Sequence, residues 1–239
     1  MPIRVSKGNM YPWVTHTHAH LGGECPHRCS YCYVNDPRFG RAKKYQGSLQ
    51  LMEGEFGVCY DEKTLRRGGG QYPSTIFIDH CNDLWAESVP NELIIQVVDH
   101  CVEWPDNTYV YQTKNPARYI EFIPWMPPKC LLGCTIETNW NMSPAISVAP
   151  RPLDRYEAML KLRGKRKLFV TIEPIMDFDL ADLVTWIILI RPEFVNIGAD
   201  SKGHKLPEPS SDKVRQLIRM ITAAGIEIRE KHNLGRLLK

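Results

Sequence analysis

The chain has 239 residues, 43% of them apolar and 24% charged, and a formal net charge of +3. That length points to one domain with a proper core, and the composition excludes wholesale disorder, collagen-like repeats and fibrous classes. The charge is too small to argue for a nucleic-acid partner by itself. The longest apolar run, around 184–190, is broken by Thr185 and closed by Arg191 and Pro192, far short of the roughly 18 residues of a membrane-spanning helix. The opening MPIRVSKGNMYPW contains no apolar stretch of the kind a secretory signal carries. A cytoplasmic, reducing location is therefore expected, and cysteines that cluster among the eight present read first as metal or cluster ligands rather than disulfides.

A first strand is expected over Trp13–Leu21, followed by a cysteine-rich loop and an irregular segment from Pro37 to Pro73 that suggests an inserted helix and hairpin. From Ser74 onward short apolar runs alternate with amphipathic stretches. Strands are expected at 74–80, 108–114, 130–138, 167–175 and 194–200, each a buried run rather than an alternating one. Helices are expected at 90–104, 115–125, 152–163, 179–191 and 210–224, the last opened by Ser210-Ser211-Asp212 and stopped by Gly225. This alternation implies right-handed βαβ units and a parallel sheet. The expected architecture is a single α/β domain over 1–239, a partial (β/α)6 TIM-like barrel with the cysteine loop after its first strand; 226–239 forms an extension or an extra strand. A complete eightfold barrel typically uses about 250 residues, and a doubly wound open sheet is the alternative.

The sharpest local feature is GGECPHRCSYCYV, in which Cys25, Cys29 and Cys32 are spaced C-x3-C-x2-C. Three thiolates on one tight loop can bind three irons of a cubane cluster and leave the fourth iron open for chemistry. The competing readings are a structural zinc knot that adds His27, which would make the chain a zinc-stabilised binding module, and an amidohydrolase-like hydrolase using His16 and His18. Zinc knots usually pair two C-x-x-C knuckles, and no second pair is present. The histidines of THTHAH (His16, His18 and His20) alternate along the first strand, but the later strand ends add only His80.

The C-x3-C-x2-C spacing, with Tyr31 just before the last cysteine, resembles the signature of the radical S-adenosylmethionine (SAM) superfamily. The strings IFIDHCNDLWAESVP, YVYQTKNPARY, LGCTIET, VTIEPIM and GIEIREKHNLG, in that order, are similar to a phage-associated, functionally uncharacterised branch of it. The resemblance implies a [4Fe-4S] cluster on Cys25, Cys29 and Cys32, SAM as cofactor, and a reductant such as flavodoxin or ferredoxin. It also implies reductive cleavage of SAM to a 5′-deoxyadenosyl radical that abstracts hydrogen from substrate. By the same analogy Tyr31 stands beside the cluster, Asn82 and Asp83 face the SAM amino group, Thr135 and Glu137 its ribose or carboxylate, and Gly198 its adenine. Lys114, Glu173, His18 and Asn196 are the expected catalytic or substrate-facing residues, since polar strand ends in a barrel point into one cavity. The chain departs from the superfamily pattern in lacking Gly-Gly-Glu after the second strand; those letters stand at 22–24, directly before the cluster, where they read as a turn.

For substrate, the short basic clusters RFGRAKK (38–44) and KLRGKRK (161–167) could contact phosphates. A nucleobase, a nucleotide or another small molecule is expected, in nucleic-acid modification or repair, and no membrane partner.

Overall fold

The computed structural model describes residues 3–8, 10–35 and 42–239. The first half of the basic cluster at 38–44, up to residue 41, lies outside the described residues. The elements run β1 (Arg4–Val5), β2 (His16–His18), β3 (Leu21–Gly22), β4 (Gln50–Leu51), α1 (Glu62–Leu65), β5 (Thr75–Ile78), α2 (Asn91–Val102), β6 (Thr108–Thr113), α3 (Ala117–Phe122), β7 (Cys130–Thr135), α4 (Pro152–Leu162), β8 (Lys167–Ile172), α5 (Leu180–Ile190), β9 (Phe194–Ile197), α6 (Ser211–Ala223) and β10 (Glu227–Glu230). The fold is α/β, a mostly parallel sheet with alternating helices. Contacts divide the chain into two compact units, Met1–Arg28 with Cys32–Thr113 and Glu121–Leu131, and Cys29–Tyr31 with Lys114–Ile120 and Leu132–Lys239.

In the first unit β2 and β5 pair in parallel, His16 opposite Ile76 and His18 opposite Ile78, and β5 pairs in parallel with β6. The short β1 closes the edge antiparallel to β2. The first strand is shorter than its sequence suggests, and the reason is Asp79. Its Oδ1 accepts the backbone N–H groups of His20 at 2.7 Å and Leu21 at 2.8 Å. These amides leave the ladder for a side chain, and the chain turns away so that β3 pairs antiparallel with β4. The irregular stretch before β5 thus supplies the expected short helix, α1, and one arm of a small two-stranded sheet.

In the second unit the order of neighbours is β7-β8-β9-β10. β8 and β9 are parallel, and β10, the extra strand anticipated at 226–239, adds parallel to β9 with Ile228 opposite Val195. β8 ends at Ile172, just before Glu173-Pro174, because a proline has no N–H for the ladder. The helices start where capping side chains stand: Asp179 accepts the Asp182 amide and Ser210 that of Lys213. α5 buries Leu183, Val184, Ile187 and Ile190, and α6 buries Val214, Leu217 and Ile221, the spacing of one helical face.

Gly133 in β7 shows how closely this core is fitted. The Phe169 ring from β8 lies where a side chain at 133 would be, with ring carbon Cζ only 2.1 Å from the position a Cβ would take, and it stacks on Phe194 of β9 at 5.3 Å between centroids. Gly133→Ala must displace a fully buried ring. Overpacking of this kind costs about 1–3 kcal/mol, so the urea midpoint of Gly133→Ala should fall accordingly; an unchanged midpoint would show that Phe169 can move aside freely.

Candidate functional site

In the second unit a single carboxylate organises the chain just past β7. Glu137 is 2% exposed. Its Oε1 accepts the ammonium of Lys114 at 2.9 Å and the hydroxyl of Tyr31, and its Oε2 accepts Nη1 of Arg155 at 2.6 Å. The same Nη1 also donates to the Thr135 carbonyl at 3.0 Å. Burial alone would keep Glu137 protonated; Lys114 and Arg155 more than offset it and hold the carboxyl far below its usual range. In return Glu137 keeps Lys114 and Arg155 charged against the burial that would discharge them. The Lys114 ammonium lies 5.3 Å from the Tyr31 ring centroid, and Cys29 Sγ lies 3.4 Å from Ser147 Oγ. The amide of Ser30 donates to the Ile146 carbonyl at 2.9 Å. Glu137, Arg155 and Ser147, with Trp140, Met142 and Met176, line a small recess that opens to solvent. The result is an ionised carboxylate between two cations, hydrogen-bonded to Tyr31, which stands between Cys29 and Cys32 in sequence.

In the first unit Asn82 and Asp83 contact the cysteine loop itself. Asp83 Oδ2 pairs with His27 Nε2 at 2.7 Å, and its carboxylate also accepts the Thr113 hydroxyl at 2.7 Å and the Trp85 amide at 3.0 Å. Asn82 donates to the Gly23 carbonyl at 3.0 Å, and its side-chain oxygen accepts the Asp83 amide. Gly23, with φ of +86°, makes the turn that Gly22-Gly23-Glu24 suggested. Cys32 packs with Tyr33 against Val34, Tyr45 and Cys81. The Cys81 thiol is raised by burial but lowered more by His80 and by the Tyr33 and Tyr45 hydroxyls, to about 7. Cys25, Cys29 and Cys32 are outside any disulfide and of intermediate exposure, whereas Cys81, Cys101, Cys130 and Cys134 are buried.

The remaining expected residues have other partners. Glu173 pairs with Lys231 at 3.0 Å, burial raising its carboxyl against that partner, and a Cβ on Gly198 would fall 2.9 Å from the Glu173 carboxyl carbon. Asn196 donates to Thr171 Oγ1 at 3.3 Å within the strand layer. His18 contacts Tyr60 and Glu55, while His16 contacts the Leu65 carbonyl and Ser74 Oγ, so the two share no partner of the kind a joint metal site needs. The cluster at 161–167 occupies the turn entering β8, the opposite strand end from the one that leads to Glu137. Arg155 was not anticipated. It lies in the first turn of α4 beside Arg151, which pairs with Asp154 on the surface in the ordinary way; only the three-dimensional contact with Glu137 distinguishes the two arginines.

The family model described as "Protein of unknown function (DUF5131)" matches residues 11–229. No curated protein matches the sequence. Among solved structures, a cysteine-to-serine mutant of spore photoproduct lyase superposes with a TM-score of 0.67 at 11% identity, over 96% of this chain and 78% of that one. Spore photoproduct lyase complexed with dinucleoside spore photoproduct gives 0.66 at 11% identity, over 95% and 78%. SuiB of Streptococcus suis bound to S-adenosylmethionine gives 0.60 at 10% identity, over 91% of this chain and 51% of that one. At these identities the likeness is one of fold, and the fold is the one that the radical SAM resemblance implied.

Removing one member of a buried ion pair leaves an uncompensated charge and costs about 3–5 kcal/mol. Glu137→Ala should lose stability of that order at pH 7 in equilibrium denaturation. Because Glu137 is held below its ordinary value, its contribution is complete above the unfolded carboxylate's ~4.3 and disappears only as pH falls through the lower folded value. The gap between wild type and variant should therefore stay constant from pH 7 down to about 5 and narrow below about 4; a pH-independent gap would assign the loss to packing instead.

Proposed function

The chain belongs to the DUF5131 family, and we propose that its members of this kind are radical SAM enzymes that act on a nucleobase or nucleotide. The observation that carries the reading is the cysteine triad. Cys25, Cys29 and Cys32 are three cysteines within eight residues, none in a disulfide and all partly accessible, while the four cysteines of the core are buried. That donor set fits three irons of a [4Fe-4S] cluster. When bound, such a cluster supplies the single electron that reduces the SAM sulfonium and yields a 5′-deoxyadenosyl radical.

The chain's own residues have separable tasks. His27, held by Asp83, and Gly23, held by Asn82, fix the entry to the cysteine loop, so Asn82 and Asp83 act as positioning residues for ligands rather than through SAM directly. Lys114 brings positive charge toward Cys29. Glu137, kept ionised, offers an acceptor for the SAM ammonium or ribose hydroxyls at the edge of the recess, with Thr135 and Tyr31 beside it. Trp140, 42% exposed at that edge, provides a face on which a base can stack. The fold likeness to spore photoproduct lyase, solved with AdoMet and a dinucleoside lesion, supports a nucleobase substrate. The precursor peptide bound to SuiB makes a peptide the second class to test.

Protein purified anaerobically and reconstituted with iron and sulfide should turn brown and convert SAM to 5′-deoxyadenosine under dithionite, and Cys29→Ala should lose both properties. A colourless protein that leaves SAM intact would overturn the reading. Base stacking is worth about 1–3 kcal/mol, so Trp140→Ala should weaken binding of a single-stranded oligonucleotide by roughly 5- to 150-fold in fluorescence anisotropy; equal binding by wild type and variant would remove Trp140 from the substrate site.

A further inference from the structure

Apart from the cysteine loop, the first unit holds three imidazoles that face one another. His18 stands at the end of β2, His20 two residues on and His100 in α2, and they are 3%, 0% and 5% exposed. One ring nitrogen from each lies within 4.8 Å of the others. His18 Nδ1 is 2.5 Å from the Tyr60 hydroxyl oxygen, His20 Nε2 is 3.2 Å from the same oxygen, and His20 Nε2 is 2.9 Å from His100 Nδ1.

The protons can be assigned from the outer partners. His100 Nε2 lies 3.0 Å from the Val58 carbonyl, which only accepts, so Nε2 carries the hydrogen and Nδ1 presents a lone pair inward. His18 Nε2 faces the Glu55 carboxylate at 3.0 Å, so it too carries a hydrogen, and Nδ1 accepts from Tyr60. The His20–His100 contact then requires the hydrogen of His20 on Nε2. That leaves His20 Nδ1 as a lone pair 3.9 Å from Asp79 Oδ2. Both atoms are buried and neither has a hydrogen-bond partner, an arrangement that buried polar groups rarely tolerate.

We propose that His18, His20 and His100 bind a divalent transition-metal ion, zinc by the chemistry of the donors, through Nδ1, Nε2 and Nδ1 respectively, with the Tyr60 oxygen at the fourth position. The ion takes the three inner lone pairs. The His20 hydrogen moves to Nδ1, where Asp79 Oδ2 becomes its acceptor, and the two orphaned atoms satisfy each other. Every ring then donates outward, to Glu55, Asp79 and the Val58 carbonyl, which is the support that metal-bound histidines almost always have. Two buried carboxylates balance the charge of a dication. Zinc–nitrogen bonds of about 2.0–2.1 Å in a tetrahedron put donor atoms roughly 3.3 Å apart, within the 2.9 Å to 4.8 Å that the nitrogens already span. His16 takes no part, since its nitrogens are engaged by Leu65 and Ser74. The ion ties β2, α2 and the segment carrying Glu55 and Tyr60 together just before the cysteine loop.

This site is independent of the radical SAM reading, and the experiment keeps the two apart. In full-length protein with Cys25, Cys29 and Cys32 all replaced by alanine, added Co2+ should bind at one equivalent per chain. Its visible spectrum should be that of four-coordinate nitrogen and oxygen ligation, without thiolate charge transfer. His100→Ala in that background should abolish the spectrum, and Asp79→Asn should weaken Co2+ binding about 10- to 100-fold. Where a variant does not fold, elemental analysis decides on wild-type protein reconstituted anaerobically with its iron: one zinc per chain, released by a strong chelator with a fall in thermal midpoint. A wild type without zinc whose midpoint is indifferent to added Zn2+, or Co2+ binding that survives His100→Ala, would overturn the proposal.

Discussion

A buried carboxylate is costly unless it is paired, and Glu137 is paired three times over. The constraint works in both directions: Lys114 and Arg155 are equally costly to bury, and each is tolerable because Glu137 is there. The three groups come from three places in the second unit, the residue after β6, the chain past β7 and the first turn of α4. Tyr31 adds a fourth attachment from the cysteine loop. The arrangement fixes where α4 starts and where residues 29–31 lie, and it leaves a charged wall on the recess. A hydrophobic substitute could pack as well, but it would supply neither the positive charge near Cys29 nor the ionised acceptor.

Much of the fold was legible in the sequence because it rests on local signals. Buried apolar runs between turns located β5 to β9 within a few residues, and Asp179 and Ser210 marked helix starts through capping that needs no distant partner. The errors fall where a distant group intervenes. The first strand was read too long because nothing in THTHAHLGG reveals that Asp79, some sixty positions later, takes the amides of His20 and Leu21. The histidine alternation was visible, but Tyr60, Glu55 and His100, which give those rings their meaning, follow no local pattern. Arg155 was invisible because PLDRYEAM reads as a solvated helix start, which is what Arg151 and Asp154 form.

The basic cluster at 161–167 was legible as composition, while its place in the fold was not. Its residues stand at the turn entering β8. Active sites of parallel α/β folds are built where strands end rather than where they begin.

The clasp between His27 and Asp83 has a thermodynamic meaning for loading. A loop that is disordered until its ligands meet a metal has to surrender its conformational freedom at that moment, and binding is weakened by that amount. Here Asp83 holds His27 between the first two cysteines at 2.7 Å, while Asn82 secures the Gly23 turn ahead of them, so the ordering belongs to folding and not to cofactor capture. A metal or cluster taken up by this loop would meet an entrance that folding has already shaped.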